Sequence, residues 1–577
     1  MLDVLLINPA AYSGTARRGP YELTAFKVSL VEAGIDAELL DLQEEVGAGA
    51  VPYPERYVET ALARVRAFNA RLHIITIRTT AGPWAYEIAK SLKATDARTR
   101  LIAYAPRIEE RLRRVMASDD AFDALMLSTP SLDVATITAA CLKFDKVWPP
   151  SVPGLLSREE IRRGGTLDCR PWRRDPSPRD YRTSASWRSA DATIGAVHVG
   201  RGCPERCTFC AAPLGAGGIP RYATAADIVV AAQAIFEDLD PARRLFVMLE
   251  TENLTSNRAL IYEIAEERAR RGTNFLWGCY GRIDHCDPAF QQVLRDAGCR
   301  FLFFGIETAS PRLLKLIGKQ YDPGIVLPRI AELQQAGITT QSSLMFGIPT
   351  ETFEELLATV EMAAEIAWLG GFVDLTPLRI EAGTPMERLT AGDTTRLLRH
   401  GELYQDLKRA GVEPEACNPA LGYRMFALES ANYDIDRICG VMRRLRVAFV
   451  YWPMTAYILL KGAGFSPAEL VEAASANSFS HSEGAAWLRE MIASMPPAAR
   501  AFADEMYRVE AELSGFDTAP RQDEQEFSIS PLYWTVRDRA AMMPHIFGLD
   551  WWAAADACGG AAPTANSIWL RQRRCHG

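Results

Sequence analysis

Residues 202–210 read Gly-Cys-Pro-Glu-Arg-Cys-Thr-Phe-Cys, which places Cys203, Cys207 and Cys210 in the spacing C-x3-C-x2-C. A loop with this spacing can point three thiolates at one iron–sulfur cluster, and such clusters ordinarily take four protein thiolates. The next cysteine along the chain is Cys279, so no fourth thiolate follows nearby. We therefore predict a 4Fe–4S cluster on the three cysteines, with one iron left open for a small-molecule ligand.

Two other interpretations of these cysteines are a zinc site and unrelated core residues. Structural zinc takes four ligands, usually from two C-x2-C-like pairs, and only half of that pattern is present here. The apolar run before the loop, residues 194–200, reads as a strand, and Pro213 follows the third cysteine and helps to end the loop. The pattern therefore favours a cluster loop at the C-terminal edge of a sheet.

The loop resembles that of the radical S-adenosylmethionine (SAM) enzymes. The resemblance rests on the cysteine spacing, the Arg-Gly-Cys-Pro lead-in at residues 201–204 and Phe209 before the third cysteine. In that family the amino and carboxylate groups of SAM chelate the open iron. The resemblance implies an enzyme that uses a 4Fe–4S cluster and SAM, acts on a small molecule and takes electrons from a donor such as flavodoxin or ferredoxin.

Strand-like and helical runs alternate between residues 191 and 390, and we read them as six βα-like units. Three of the strand-like runs lead into the polar motifs Glu-Asn-Leu-Thr (252–255), Gly-Ile-Glu-Thr (305–308) and Gly-Ile-Pro (347–349). The active groups of βα barrels lie at the C-terminal ends of the strands. The radical SAM family uses a partial barrel of six such units, and the resemblance implies a partial (β/α)6 barrel here.

The same resemblance implies roles for residues of these motifs. Glu252 would lie near the amino group of SAM, Glu307 and Thr308 near its ribose, and Gly347 near its adenine. For a single acid the alternative is helix capping, because acids favour helix N-termini; the ordered series favours SAM contacts. The predicted contacts are Glu252, Arg282, Glu307, Thr308, Ser343 and Gly347.

Glu250 stands two residues before the first of these acids, where the family usually has an apolar residue. It could approach the cluster as an oxygen ligand. We predict instead that it is a surface acid.

Residues 1–145 also alternate between strands and helices, which is typical of a doubly wound, Rossmann-like parallel sheet. This order resembles the cobalamin-binding domain that precedes many radical SAM domains. Ligands of such sheets bind outside the carboxyl ends of the strands. The predicted strands are 4–7, 37–42, 73–77, 101–104 and 124–127.

The loop after the first strand departs from one cobalamin pattern. Some cobalamin proteins carry Asp-x-His-x-x-Gly there, whereas residues 8–14 read Asn-Pro-Ala-Ala-Tyr-Ser-Gly. We therefore predict cobalamin without a histidine lower ligand, bordered by Asn8, Arg78 and Thr79. The alternatives are a relic domain that binds no cofactor and, for Arg78, a phosphate or surface salt-bridge role. His73 sits within a strand pattern and is predicted to be structural.

The remaining parts of the chain are a proline- and arginine-rich linker at residues 146–190 and a mostly helical domain at residues 391–577. A helix is predicted over 395–410. Aromatic residues concentrate in the last domain, where packing is a commoner use than lining a substrate pocket. The fold class is thus α/β, with the radical SAM barrel at 191–390 between the first domain and the helical one.

Composition excludes several classes of protein. A chain of 577 residues with net charge −8 suits a protein of several domains and argues against a nucleic-acid partner. Nine of the twelve cysteines are scattered singly, which indicates reduced thiols in a cytoplasm. No signal peptide is evident. The longest apolar run, 447–460, is too short to span a bilayer and contains Pro453, so a buried helix pair is favoured over membrane-surface attachment. The sequence predicts no particular oligomeric state.

The leading hypothesis from the resemblance is a cobalamin-dependent radical SAM C-methyltransferase acting on a small natural-product intermediate, as in antibiotic biosynthesis. The alternative is a radical rearrangement, cyclisation or oxidation without methyl transfer. A tRNA methylthiotransferase would need a second cluster in the first domain and a basic RNA-binding tail, and the first domain has one cysteine, Cys141. A non-enzymatic cobalamin or iron sensor would not require the ordered SAM motifs.

Overall fold

The structure is a computed structural model that divides into two compact units. Unit 1 comprises Met1–Leu276, Arg379–Gly392 and Glu402–Ala427, and unit 2 comprises Trp277–Leu378, Asp393–Gly401 and Leu428–Gly577. The residues that the structure describes are 1–10, 21–78, 81–104, 109–126, 132–143, 148, 152, 154–164, 187–188, 193–215, 220–239, 244–399, 401–417, 421, 423–462, 466–473, 481–495, 497, 500, 503–504, 507–508 and 511.

Unit 1 opens with a six-stranded sheet in the order β2-β1-β3-β4-β5-β6. Its strands are parallel except β6, which pairs antiparallel with β5. The strands are β1 (Leu2–Asn8), β2 (Ala37–Asp41), β3 (Ala70–Thr76), β4 (Leu101–Tyr104), β5 (Ala124–Met126) and β6 (Leu155–Ser157). The helices are Tyr21–Glu32, Leu42–Gly47, Tyr57–Ala67, Gly82–Thr95, Glu109–Ser118, Leu132–Lys143 and Arg158–Arg162.

The apolar runs of the sequence explain this sheet. Val4, Leu5, Leu6 and Ile7 are all fully buried, as expected for parallel strands covered on both faces. The strand order reverses beside β1, which is flanked by β2 and β3, and ligands of such folds bind at this kind of switch point. The predicted doubly wound fold is therefore confirmed.

Residues 155–162, which the composition assigned to a linker, are structured. They form β6 and a short helix that begins with a capping box, in which Ser157 and Glu160 bond each other's backbone N–H groups. Helices 42–47 and 57–67 were also missed by the sequence pattern. The predicted domain boundaries themselves stay predictions.

Unit 1 continues with the cluster loop and its supports. Its remaining strands are β7 (Trp187–Arg188), β8 (Thr193–His198), β9 (Gly200–Arg201), β10 (Arg221–Tyr222) and β11 (Arg244–Glu250). β8 pairs parallel with β11, and β9 pairs antiparallel with β10. The helices are Ala212–Gly215, Ala225–Asp238, Arg258–Arg271, Pro385–Leu389 and Glu402–Arg409, with 3-10 turns at Leu254–Ser256, Pro414–Ala416 and Tyr423–Met425.

Unit 2 contains four parallel strands in the order β12-β13-β14-β15. They are β12 (Trp277–Gly281), β13 (Cys299–Glu307), β14 (Thr339–Phe346) and β15 (Phe372–Pro377). The helices that follow or precede them are Pro288–Asp296, Pro311–Leu316, Val326–Gln335 and Phe353–Trp368, with 3-10 turns at Ile283–His285 and Pro323–Ile325. The later helices are Ile435–Tyr451, Pro453–Tyr457, Pro467–Ala473 and His481–Ala493, with a π-turn at Ile458–Gly462.

Two predictions about the C-terminal region have different outcomes. The helix predicted over 395–410 is wrong in its first half, because Thr395–Leu397 is a strand and the helix spans Glu402–Arg409. The apolar run 447–460 does form a helix pair, since the helix Ile435–Tyr451 ends before Pro453 and a short helix begins there. Within the described ranges no helix is long and apolar enough to cross a membrane.

A buried ion pair joins two layers of the first sheet domain. Lys93 on the helix Gly82–Thr95 donates to both carboxylate oxygens of Asp123, at 2.8 and 2.7 Å, and the backbone N–H of Leu101 donates to the same carboxylate at 2.9 Å. The Asp123 side chain is only 8% exposed. The Asp123 carboxylate therefore accepts hydrogen bonds both from a lysine of the helix and from the first backbone N–H of β4.

We expect Asp123→Ala to destabilise unit 1 by about 3 kcal/mol, because it leaves a largely buried ammonium group and a backbone N–H without their acceptor. The measurement is denaturant unfolding of the purified protein. Asp96→Ala, which removes an exposed carboxylate from the same helix end, is the control and should change little. Equal, small effects of both variants would contradict the expectation.

Candidate cofactor-binding site

The cysteine loop in unit 1 begins at a sharp bend. Gly202 has φ of +92°, a conformation that favours glycine, and it follows the two-residue ladder between β9 and β10. The backbone N–H of Gly202 donates to Glu252 Oε2 at 2.8 Å. The predicted SAM acid after β11 thus already fixes the first turn of the cluster loop.

The first cysteine lies beside the motif that follows β11. Asn253 Nδ2 lies 3.9 Å from Cys203 Sγ, and Asn253 is held by the Thr255 hydroxyl, which donates to its Oδ1 at 3.0 Å. Burial raises the pKa of the Cys203 thiol above its usual value, although the hydrogen bond from Asn253 lowers it. Binding of iron must therefore displace a proton from this thiol.

The other end of the loop is fixed by backbone groups. The N–H of Cys210 donates to the Cys207 carbonyl at 3.2 Å, and the N–H of Met386 donates to the Thr208 carbonyl at 2.8 Å. The N–H of Ala212 donates to Cys210 Sγ at 3.4 Å, a contact typical of thiolates that bind a cluster. The loop is consequently held at both ends before any metal binds.

The three loop thiols are reduced and partly exposed. Across the described residues, no set of three or more His, Cys, Asp or Glu side chains converges on one metal ion. Three soft, accessible thiols on one loop are the kind of donor set that an iron–sulfur cluster takes from a protein.

The other described cysteines are buried, and burial raises the pKa of four of their thiols, those of Cys141, Cys279, Cys299 and Cys417. Burial raises the pKa of Cys299 to about 12 and that of Cys141 and Cys417 to about 11. These thiols are poor metal ligands in the folded chain. The buried set is Cys141, Cys279, Cys286, Cys299, Cys417 and Cys439.

Glu250 is not a surface acid, so that prediction is wrong. It is the last residue of β11 and only 1% exposed. Its carbonyl accepts from the N–H of Val199, at the strand end that leads to the cysteine loop. The residue lies inside because β11 is covered on both faces through to its end.

In unit 2, Glu307 ends β13 in the left-handed region, with φ of +73°. Lys319 Nζ donates to Glu307 Oε1 at 2.6 Å and to the Gly305 carbonyl at 2.5 Å. Both side chains of this ion pair are less than 10% exposed. The Glu307 carboxylate folds back over Gly305, where an added Cβ would lie 2.2 Å from Oε1 and 2.9 Å from Lys319 Nζ. A side chain at position 305 would therefore displace both ends of this ion pair.

Thr308, the second predicted ribose contact, is fully buried. Its hydroxyl lies 3.1 Å from that of Thr359, and it accepts from the N–H of Ser310 at 3.2 Å. The Ser310 hydroxyl donates to Glu355 at 2.6 Å. The Thr308 side chain thus joins the strand end to the helix Phe353–Trp368.

Arg282 and Ser343 are two further residues of unit 2 that were predicted to contact SAM. Arg282 follows β12 and forms a two-pronged ion pair with Asp284, at 3.0 and 2.8 Å. Burial alone would raise the pKa of Asp284, but the hydrogen bonds and positive charge of Arg282 outweigh burial, so the pKa is lowered. Ser343 lies within β14, in register with Gly305 of β13, and its side chain is partly exposed.

Gly347 follows β14 in the left-handed region, with φ of +73°. An added Cβ would lie 2.8 Å from Ile435 Cδ1. Its backbone N–H donates to Glu351 Oε2 at 2.7 Å and to the Tyr433 hydroxyl at 2.9 Å. The side chains of Glu351 and Tyr433 therefore hold the Gly-Ile-Pro turn through its first backbone N–H.

Of the residues predicted to border cobalamin, Asn8 is the last residue of β1 and Arg78 follows the end of β3. Asn8 is fully buried and donates to Asp41 Oδ1 at 2.6 Å, and Asp41 also caps the helix Leu42–Gly47. Burial raises the pKa of Asp41, and the nearby positive charge of Arg78 counters part of that effect. Thr79 lies outside the described residues, as do most of residues 8–14.

Sequence reasoning missed three residues of this arrangement. Lys319 gave no signal, because it stands twelve residues after its partner, beyond the end of the helix Pro311–Leu316. Glu351 had one, since it stands two residues after the Gly-Ile-Pro motif. Tyr433 had none, because it lies 82 residues after Glu351.

Comparison with known proteins supports this site. Residues 197–363 match the Radical SAM superfamily, so the chain contains a radical SAM domain. A protein of Pyrococcus horikoshii named an uncharacterized methyltransferase is 23% identical over 383 residues, a match that covers 63% of this chain and 78% of that protein.

Two solved structures share the fold over most of the chain. The radical SAM methyltransferase TsrM from Kitasatospora setae, with cobalamin and a 4Fe–4S cluster bound, has a TM-score of 0.53 at 16% identity and covers 89% of this chain and 100% of its own. The cobalamin-dependent SAM radical enzyme OxsB, with aqua-cobalamin bound, has a TM-score of 0.52 at 10% identity. The match covers 99% of this chain and 84% of the OxsB chain. The chain therefore has the fold of cobalamin-dependent radical SAM enzymes.

We expect anaerobic reconstitution to give four irons per chain, because the loop supplies one set of three thiols. Replacing Cys203, Cys207 and Cys210 together with alanine should remove the iron and the charge-transfer absorbance. Cys299→Ala is the control and should keep both. Eight irons per chain, or a cluster retained in the triple variant, would contradict the assignment.

We expect Gly305→Ala to weaken SAM binding by about tenfold, because the new methyl group occupies the position of the Glu307 carboxylate and breaks its pair with Lys319. Isothermal titration of the reconstituted protein measures the effect. Gly324→Ala, whose nearest neighbour would lie 3.3 Å away on the Asp322 carboxylate, is the matched control. SAM binding equal to that of the wild type would show that Glu307 does not act on SAM.

Proposed function

We propose that the protein is a cobalamin-dependent radical SAM C-methyltransferase acting on a small natural-product intermediate in the cytoplasm. The observation that carries the proposal is the loop of three reduced thiols, tied through Gly202 to the acid predicted to meet SAM. It stands in one chain with a doubly wound domain of the kind that binds cobalamin. The shared fold of TsrM, a radical SAM methyltransferase whose structure holds cobalamin and a 4Fe–4S cluster, supports it.

Cys203, Cys207 and Cys210 would hold the cluster, which when bound supplies the electron for reductive cleavage of SAM. The protein's own part is to hold and orient. Glu252 presents one carboxylate oxygen to the Gly202 N–H and offers the other to the amino group of SAM. Glu307 would accept from the ribose hydroxyls while its ion pair with Lys319 holds its carboxylate in position.

The first domain would hold cobalamin at the edge formed by Asn8, Asp41 and Arg78. The donor set there contains no imidazole, since His73 is the one histidine before residue 198. His73 lies within β3, and burial lowers its pKa to about 4. A corrin at this edge would therefore have no histidine below the cobalt, and the positive Arg78 would disfavour a lone pair in that position.

The substrate would contact the partly exposed face of the sheet in unit 2. Central parallel strands are ordinarily buried on both faces. Here Thr340 and Ser342 are fully buried, whereas Phe303, Gln341 and Ser343 on the opposite face are partly exposed. This face therefore borders open space.

That face carries a charged pair and an aromatic pair. Arg446 donates to Asp374 at 3.0 Å, and Asp374 lies in register with Ser343. The rings of Tyr280 and Phe303 lie 5.1 Å apart. These groups suit a small molecule that has an apolar ring and polar substituents.

The second candidate is a radical rearrangement, cyclisation or oxidation without methyl transfer. The comparison that favours it is OxsB, which shares the fold over 99% of this chain and is described as a radical enzyme rather than as a methyltransferase. The two candidates use the same site residues and differ in the fate of the SAM methyl group.

The test is to incubate reconstituted, cobalamin-loaded protein with reductant, SAM and an extract of small metabolites, and to quantify the SAM products by mass spectrometry. Methyl transfer predicts S-adenosylhomocysteine together with 5′-deoxyadenosine and a product that carries the labelled methyl group of SAM. The second candidate predicts 5′-deoxyadenosine without S-adenosylhomocysteine. The triple cysteine variant is the control and should make no 5′-deoxyadenosine.

The same preparation tests the cobalamin assignment. In the Co(II) state its paramagnetic resonance should lack nitrogen splitting from a histidine. Such splitting would contradict the histidine-off geometry, and a protein that takes up no corrinoid would remove the methyltransferase proposal in favour of the second candidate.

A further inference from the structure

The turn that follows β14 is unusually bent. Gly347 and Thr350 both lie in the left-handed region, with φ of +73° and +67°. For Thr350, a β-branched residue, this conformation is costly and persists only where the surroundings enforce it. The contacts that enforce it must therefore be found among the neighbours of residues 347–351.

Glu351 and Tyr433 supply those contacts on one side. The Gly347 N–H is shared between Glu351 Oε2 at 2.7 Å and the Tyr433 hydroxyl at 2.9 Å. The Tyr433 hydroxyl in turn donates to the same Oε2 atom. Next to it, the Asn432 side chain donates to the Glu351 carbonyl at 2.7 Å. The segment before the helix Ile435–Tyr451 is thus bonded directly to the turn.

Arg312 supplies the contacts on the other side. Its guanidinium donates to the Thr350 hydroxyl and carbonyl, both at 2.8 Å, and to Glu355 Oε2 at 2.6 Å. Arg312 and Glu355 are more exposed than Glu351. The charged groups around the turn are therefore Glu351, Glu355 and Arg312, with the Tyr433 phenol as the titratable neighbour.

The Glu351 carboxyl is the unusual member of this set. It is 1% exposed, and its Oε1 atom has no hydrogen-bond partner among the described residues. Burial raises its pKa to about 7, although the bonds from Tyr433 and Gly347 lower it. A buried carboxyl that titrates near neutral pH therefore accepts the N–H at the centre of the turn.

We propose that Tyr433 and Glu351 are positioning residues that hold the Gly347 turn in the shape that receives the adenine of SAM. The inference rests on the proposed function, which assigns this turn to SAM. It adds Asn432 and Tyr433, which precede the helix Ile435–Tyr451, to the residues that control SAM binding. Tyr433 acts through its hydrogen bonds to Glu351 and to the Gly347 N–H.

The protonation state of Glu351 sets how firmly the turn is held. A hydrogen bond to an ionised carboxylate is about twice as strong as one to a neutral group. Ionised Glu351 therefore holds Gly347 and Tyr433 more tightly than protonated Glu351 does. Because its pKa is raised above that of an unfolded chain, the fold favours the protonated carboxyl, and the stability that this gives is lost as the pH rises through about 7. Over the same interval the bonds that hold the turn strengthen.

The experiment measures the dissociation constant of SAM for the reconstituted protein from pH 6 to pH 8.5 in the wild type and in Tyr433→Phe and Glu351→Gln. The wild type should bind more tightly as the pH rises through about 7. Tyr433→Phe should bind about tenfold more weakly at pH 7.5 and shift the transition to higher pH, because the lost bond had lowered the pKa of Glu351. Glu351→Gln should remove this transition, which separates it from any titration of SAM.

The matched control is Tyr86→Phe, which removes a tyrosine–carboxylate bond, to Asp119, from unit 1 and should reproduce the wild-type curve. Thermal melting checks that each variant is folded. If the wild type binds SAM and both variants keep its affinity and pH profile, the positioning role is overturned while the proposed function stands. If the wild type binds no SAM at any pH, both are overturned together.

Discussion

Parallel strands that are covered on both faces have most of their room for charged groups where they end, and this constraint places the acids of the candidate site. In unit 1, β1 is apolar and fully buried from Val4 to Ile7, and the polar side chain that follows is Asn8 at the strand end. In unit 2, the covered face of β13 is apolar until Glu307, whereas the covered face of β14 carries only the small polar residues Thr340 and Ser342 before the turn at Gly347. Each motif of the candidate site therefore lies at or just after the end of a strand, which is why the order of the motifs along the sequence is informative.

Each acid at these strand ends already has a partner within the protein. Glu252 accepts from the Gly202 N–H, Glu307 is paired with Lys319, and Glu351 accepts from Gly347 and Tyr433. An acid held in this way loses little conformational freedom when a ligand arrives, which lowers the cost of binding. The same bonds make the strand ends rigid, so a ligand meets a surface whose shape is already set.

The sequence predicted what depends on local pattern and missed what depends on distant partners. The strand-like run that leads into the Gly-Ile-Pro motif was predicted and forms β14, because its apolar residues and the glycine after it are local signals. The burial of Glu250, the partner of Glu307 and the role of Tyr433 were missed, because each depends on residues brought together by folding. Residues 155–162 were missed because a proline-rich composition outweighed a capping box that only two residues, Ser157 and Glu160, encode.

The contrast between the loop thiols and the buried thiols determines which cysteines oxygen attacks first. Oxidation proceeds through thiolate and needs access to solvent. Cys299, Cys141 and Cys417 are inside and protonated, whereas the three loop cysteines are partly exposed. Among the described cysteines, oxidation therefore falls first on the three of the loop, whose cluster can be rebuilt by adding iron, sulfide and reductant.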